Sequence, residues 1–125
     1  MNTLSSAVTA MMQSGQCINA TTKTNPPILS NRAALILNAI ARGLTPHEIV
    51  SKIFKGQYSV GHIQSMLNYH LLVIWGWHIS SAAHSDLTQS QIKEFHDLFD
   101  ANLPAKRRFL QQFGDFIEWT ANARN

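Results

Sequence analysis

Three apolar stripes at helical spacing between residues 29 and 71, parted by two short breaks, constrain this chain more than anything else in it. Leu29, Ala33, Ile36, Leu37 and Ile40 fall at i, i+4, i+7, i+8 and i+11, which is one side of a 3.6-residue helix. Gly43 follows, where a helix end favours a left-handed residue. Thr45 can cap a new helix, with Pro46 at its first position and Glu48 three residues after the cap. Ile49, Val50, Ile53 and Phe54 form the second stripe, and KGQY breaks it. Ser59 can then cap a third helix that buries Val60, Ile63, Met66 and Leu67. Short amphipathic helices joined by tight turns are the skeleton of a helix-turn-helix unit.

The third helix has no stop at Leu71. The segment LLVIWGWHIS continues its pattern through Ile74, Trp75 and His78. Residues 71–77 carry no polar side chain apart from indole N–H groups, and a helix apolar on all sides must be buried on all sides. This stretch is either the central helix of the monomer or the heart of a dimer or partner contact, with Leu71, Ile74, Trp75 and Trp77 as the interface residues. Gly76 lowers helix stability by roughly 1 kcal/mol against Ala, and marks either a close helix approach or a kink. The apolar run is far below the ~20 residues that span a bilayer, so no membrane partner is expected.

Elsewhere the periodicity is also helical. Leu4, Ala7, Val8, Met11 and Met12 suggest a short N-terminal helix over 3–14, followed by a polar linker over 15–28 that ends at Pro26 and Pro27. Asp86 or Thr88 can cap a helix carrying Ile92, Phe95, Leu98 and Phe99. After a turn at Asn102, Leu103 and Pro104, Phe109, Leu110, Phe113, Phe116 and Ile117 read as the buried stripe of one last helix. Together 87–120 reads as a helical hairpin. The expected fold is all-α: a helix-turn-helix core with an N-terminal helix, a long central helix and a C-terminal helical hairpin. At 125 residues one domain is the simplest division. It comprises the N-terminal helix and linker (1–28), the helix-turn-helix-like core (29–71), and the central-helix extension and hairpin (72–125).

The middle of the chain resembles the LuxR/GerE-type helix-turn-helix. That family opens with Leu-Thr-Pro-Arg-Glu, and Leu29, Ser30 and Arg32 stand at matching positions. Ile40, Ala41, Gly43, Leu44, Thr45, Glu48 and Ile49 match its Ile-Ala-x-Gly-Leu-Ser/Thr-x-x-Glu-Ile motif without a gap. Ser59, Ile63 and Leu67 look like the start and buried face of the recognition helix. KGQ is an insertion between the paired helices, and Gly61 and Gln64 stand where the family usually carries Lys or Arg.

The resemblance implies that the third helix enters the major groove of double-stranded DNA. Its base-reading side chains would be His62, Gln64, Ser65 and Asn68, with Gln64 and Asn68 each able to make a bidentate contact to adenine. Arg32, Arg42, Lys52, Lys55 and Ser59 would bind phosphates. Charge placement agrees: residues 29–71 hold four cations against Glu48, a net +3, whereas 81–125 are net −1. The reading is a small DNA-binding transcription regulator, expected to act as a homodimer. The alternative is a protein-interaction module, an anti-activator or phage-type inhibitor, that keeps the helix-turn-helix shape without binding DNA. The basic cluster KRR at 106–108 lies at the start of the final helix, the unfavourable end for cations; this reads either as a solvated face next to Asp97 and Asp100 or as a hint of an acidic partner, DNA phosphates or an acidic protein face.

Other chemistries find little support. His62, His70 and His78 recur every eight residues, about 80° off a common helix face, so they do not converge on a metal. No cofactor is expected. Asp97 and Asp100 are i, i+3 neighbours with no nucleophile or phosphate loop beside them, which argues against an enzyme. The sole cysteine, Cys17, fits a reducing compartment. The opening residues lack the basic n-region of a secretory leader, so a cytoplasmic location is expected.

Overall fold

The computed structural model describes residues 26–80 and 86–123. The expected helix over 3–14, Cys17 and most of the 15–28 linker lie outside them. Every regular element among the described residues is helical, so the fold is all-α.

Helix α1 spans Asn31–Ala41, with Ser30 Oγ accepting the Ala33 N–H at 3.2 Å. Gly43, at φ +109°, reverses the chain. Helix α2 (Pro46–Glu48) opens with a capping box: Glu48 N–H donates to Thr45 Oγ1 at 3.2 Å, and Thr45 N–H donates to Glu48 Oε1 at 2.9 Å. It then widens into a π-helical turn, Ile49–Ile53. Lys55 and Gly56, both left-handed, close that turn. Helix α3 runs from Val60 to Ser80 without interruption.

That continuity settles the role of Gly76. A Cβ there would lie 3.0 Å from Leu87 Cδ1, so the glycine admits the segment leading into the next helix and makes no kink. Leu71, Ile74 and Trp75 are closed off within the single chain, and Trp77 is half-buried against Trp119 and Phe113. Leu71, Ile74 and Trp75 thus pack in the core of the monomer, whereas Leu72, Val73 and Trp77 stay partly exposed. The first three of these side chains offer no surface to a second subunit, because the chain's own aromatic core already covers them.

Helix α1 is more deeply placed than its apolar stripe implies. Ala34, Asn38 and Ala39 are buried along with the stripe, because α1 is packed against α3 and two C-terminal helices. Helix α4 (Gln89–Phe99) is capped by Thr88, and α5 (Leu103–Gln111) by Asn102. Ala101, at φ +53°, makes the turn between them.

The expected hairpin then departs from its sequence reading. The stripe from Phe109 to Ile117 is not one helix: α5 stops at Gln111, Gly114 turns at φ +75°, and α6 begins at Ile117 and ends at Ala123. Asn38, 4% exposed, is the reason. Its Oδ1 accepts the Phe116 N–H at 2.8 Å, and its Nδ2 donates to Asp115 Oδ1, also at 2.8 Å. Asp115 Oδ1 in turn accepts the Ile117 N–H at 2.9 Å. The chain is thereby pinned with Phe116 fully buried and Ile117, expected in the stripe, facing out.

Helix α5 is fastened to the end of α1. Arg107 donates from Nε to the Ile40 carbonyl at 2.8 Å and from Nη2 to the Leu44 carbonyl at 3.0 Å. Gln111 Nε2 reaches the Ala41 carbonyl at 2.9 Å. Ile40 and Ala41 belong to the last turn of α1, where a guanidinium adds favourable charge, and the Leu44 carbonyl lies in the turn that follows.

Candidate functional site

The N-terminal half of α3 is where the candidate residues gather. Ser59 Oγ accepts the His62 N–H at 3.1 Å and so starts the helix. This spends part of the hydroxyl that was expected to hold a phosphate. Ile63 and Leu67 anchor the inner face. His62, Ser65 and Asn68 are all exposed. Spaced at i, i+3 and i+6, they form a row with Ser65 in the middle and its neighbours about 60° to either side. Tyr69, 51% exposed, continues the same surface.

One flank of this row is aromatic and cationic. The His62 ring stacks on Tyr58, with centroids 5.1 Å apart and planes 17° from parallel. The guanidinium of Arg32 lies 4.9 Å from the Tyr58 centroid, a cation–π contact that holds its charge beside α3. Lys55 is exposed at the end of the π turn just before the helix.

The other flank is a groove of about 390 Å³ between α3 and the α4–α5 turn. Gln64, Leu67 and Asn68 form its α3 side; Ala101, Asn102, Leu103 and Lys106 face them, and Pro46 completes the lining. Lys106 Nζ donates to Asn68 Oδ1 at 2.8 Å. Burial lowers the Lys106 pKa, and the charge of Asp100 acts to raise it. Gln64 and Asn68, expected to read adenine, therefore stand toward this groove, and the Asn68 acceptor is already engaged by α5.

The remaining phosphate candidates are more dispersed. Arg42 is 3.9 Å from Asp115 Oδ2, with its side chain 70% exposed. Lys52 pairs with Glu48 one turn back at 3.4 Å. The structure thus brings together Arg32, Lys55, Ser59, His62, Ser65 and Asn68 at one end of α3, and leaves Arg42 and Lys52 in local ion pairs.

One residue that matters here, Asn38, was not singled out by sequence. Asn38 is the one polar side chain amid the apolar residues of α1 from Ala33 to Ala41, and that isolation was its signal. KRR, expected at the start of the final helix, lies in the middle of α5, with Arg108 in its last turn. Arg107 donates within the chain to the Ile40 and Leu44 carbonyls, and Lys106 to the Asn68 amide oxygen.

Among the described residues, no group of three or more His, Cys, Asp or Glu could hold a metal ion, and no helix is long and apolar enough to cross a membrane. No family model, curated protein or solved structure matches the chain.

Proposed function

We propose that this chain is a small cytoplasmic regulator that binds duplex DNA by laying the first half of α3 in the major groove. The observation that carries the reading is the row His62, Ser65 and Asn68, exposed on a helix whose inner face is locked into the core, with the Arg32 charge fixed beside it. Ser65 and His62 are the base-facing side chains. Arg32 and Lys55 supply phosphate contacts that orient the helix without reading sequence. The LuxR/GerE-like motif over 29–49 supports the same use of α3. A homodimer would meet through exposed apolar side chains such as Leu35 or Leu98, not through Leu71, Ile74 and Trp75.

A second reading, capture of another protein by the same face, draws on Tyr69, a large exposed aromatic beside Ser65 on a helix that carries no Lys or Arg of its own. Titration of the protein into duplex DNA, followed by fluorescence anisotropy, separates the two. The first reading expects affinity tighter than ~10⁻⁴ M that weakens with salt on a shallow slope, because few phosphates are contacted. No binding at that level would leave protein capture as the better account.

A further inference from the structure

Every polar side chain that lines the groove beside α3 carries a hydrogen-bond donor. Its polar groups are the amides of Gln64, Asn68 and Asn102 and the ammonium of Lys106. Two of the amides are oriented through their oxygens: Lys106 donates to Asn68 Oδ1, and the Ala105 N–H donates to Asn102 Oδ1 at 3.2 Å. Each therefore keeps its –NH₂ group unspent, and Lys106 keeps donors beyond the one given to Asn68. No described carboxylate lies within ion-pairing reach of Lys106, and the nearby Asp100 is held by His96 at 3.0 Å. The groove lies at the start of α5, whose backbone dipole adds positive potential. Leu67 and Leu103 form an apolar floor, where lower local dielectric strengthens these interactions.

A phosphodiester is acceptor-only and negative, which matches this set. We propose that the groove seats one backbone phosphate of the bound duplex, gripped by Lys106 with the amides of Gln64, Asn68 and Asn102. The proposal rests on the duplex-binding reading above and gives it a second flank. A helix in the major groove has a phosphate strand on each side. Arg32, Tyr58 and His62 face one strand; Asn68, on the far side of Ser65, faces the other through Lys106. The cation that α3 lacks is supplied by α5.

The test is the salt dependence of duplex binding, measured by anisotropy between about 50 and 200 mM salt. Lys106→Gln is expected to weaken binding and to reduce the slope of log K against log salt by about 0.9, the weight of one phosphate. Lys106→Arg should keep the slope, and so should Lys93→Gln, which lies outside the groove. Circular dichroism of Lys106→Gln is expected to match the unmutated protein, so that loss of fold does not imitate loss of contact. Binding by the unmutated protein with an unchanged slope in Lys106→Gln overturns the phosphate seat and leaves the duplex reading standing. Tighter binding by Lys106→Gln also overturns it, since Lys106 would then be shielding Asn68 from bases. Absence of duplex binding by the unmutated protein removes both. Inorganic phosphate at matched ionic strength should compete no better than chloride. Selective competition that disappears in Lys106→Gln overturns the duplex as the source and makes the groove a free-phosphate site.

Discussion

The two halves of α3 belong to one unbroken helix and answer to different physics. From Val60 to Tyr69 the helix buries a narrow inner row and shows His62, Gln64, Ser65, Asn68 and Tyr69 to solvent. Beyond His70, the side chains of Leu71, Ile74 and Trp75 are closed off on every side. The second half holds the rod in the core, and that anchorage fixes the direction in which the first half projects. A recognition surface gains precision when it sits on a rigid element, and this helix is held both beneath the surface, by Ile63 and Leu67, and beyond it. The contrast is testable, because stability and binding should separate along the sequence of a single element.

Trp75→Ala should give the largest effect. The ring is buried and meets Phe95 edge-on at 5.7 Å. Its removal is expected to cost about 3–5 kcal/mol of unfolding free energy, read from urea denaturation. That is a large share of the ~5–15 kcal/mol typical of a whole domain. A loss under ~1 kcal/mol, the ordinary cost of a point mutation, would erase the distinction between the halves.

Asn38→Leu comes next. It keeps side-chain volume and removes the acceptor of the Phe116 N–H, leaving that donor buried without its partner. The expected cost is about 1–3 kcal/mol. The near-ultraviolet signal should change with it, since the Phe116 ring lies tilted against Trp119 at 5.0 Å, and Trp119 meets Trp77 of α3. Intact stability and an unchanged aromatic signal would show that the break between α5 and α6 does not depend on Asn38.

This residue also shows where the sequence stopped being informative. The caps at Ser30, Thr45, Ser59 and Thr88, the left-handed Gly43 and the run of α3 past Leu71 are written in residues a few positions apart. A capping box joins groups three residues apart, so local pattern finds it. The split at Gly114 is decided by a side chain more than seventy residues earlier in the chain. Phe109, Leu110, Phe113, Phe116 and Ile117 satisfy helical periodicity on either side of the break, and periodicity does not register a turn that preserves its phase. The site divides the same way. Exposure of His62 and Ser65 follows from helix spacing, whereas the approach of α5 to Asn68 joins residues 38 positions apart and leaves no local pattern.

A smaller effect is expected where the two halves meet. His70 is half-buried, and burial holds its pKa below the ordinary 6.5 because desolvation disfavours the imidazolium. Between the folded value and 6.5 the unfolded chain binds more protons, so stability rises with pH across that window. It therefore falls as the solution is acidified below 6.5, and His70→Gln should flatten the decline. Asp115 and Glu48 act at lower pH. The Ile117 N–H holds the Asp115 carboxyl below 3.8, and the Thr45 N–H holds that of Glu48 below 4.5. Their contributions are present above those values and are lost as pH falls further. Urea midpoints above and below 6.5 check the first window; a His70→Gln profile with the same slope as the unmutated protein would remove His70 from the account.

Ser65→Glu should alter stability least, and for that reason probes the comparison most directly. Ser65 is exposed in the middle of the outward row and takes part in none of the side-chain hydrogen bonds among the described residues. A surface substitution of this kind is expected to shift unfolding free energy by no more than about 0.5 kcal/mol. Its new carboxylate would face DNA phosphates and bases at the centre of the proposed interface, where like charge is costly. Duplex affinity should drop by about tenfold or more, or ~1.4 kcal/mol. Trp75→Ala and Ser65→Glu then form a pair: the first lowers stability without altering a residue of the binding face, and the second removes binding from a protein that folds normally. If Ser65→Glu binds duplex as the unmutated protein does, the outward row is not the face that reads DNA, and α3 serves along its whole length as a structural rod.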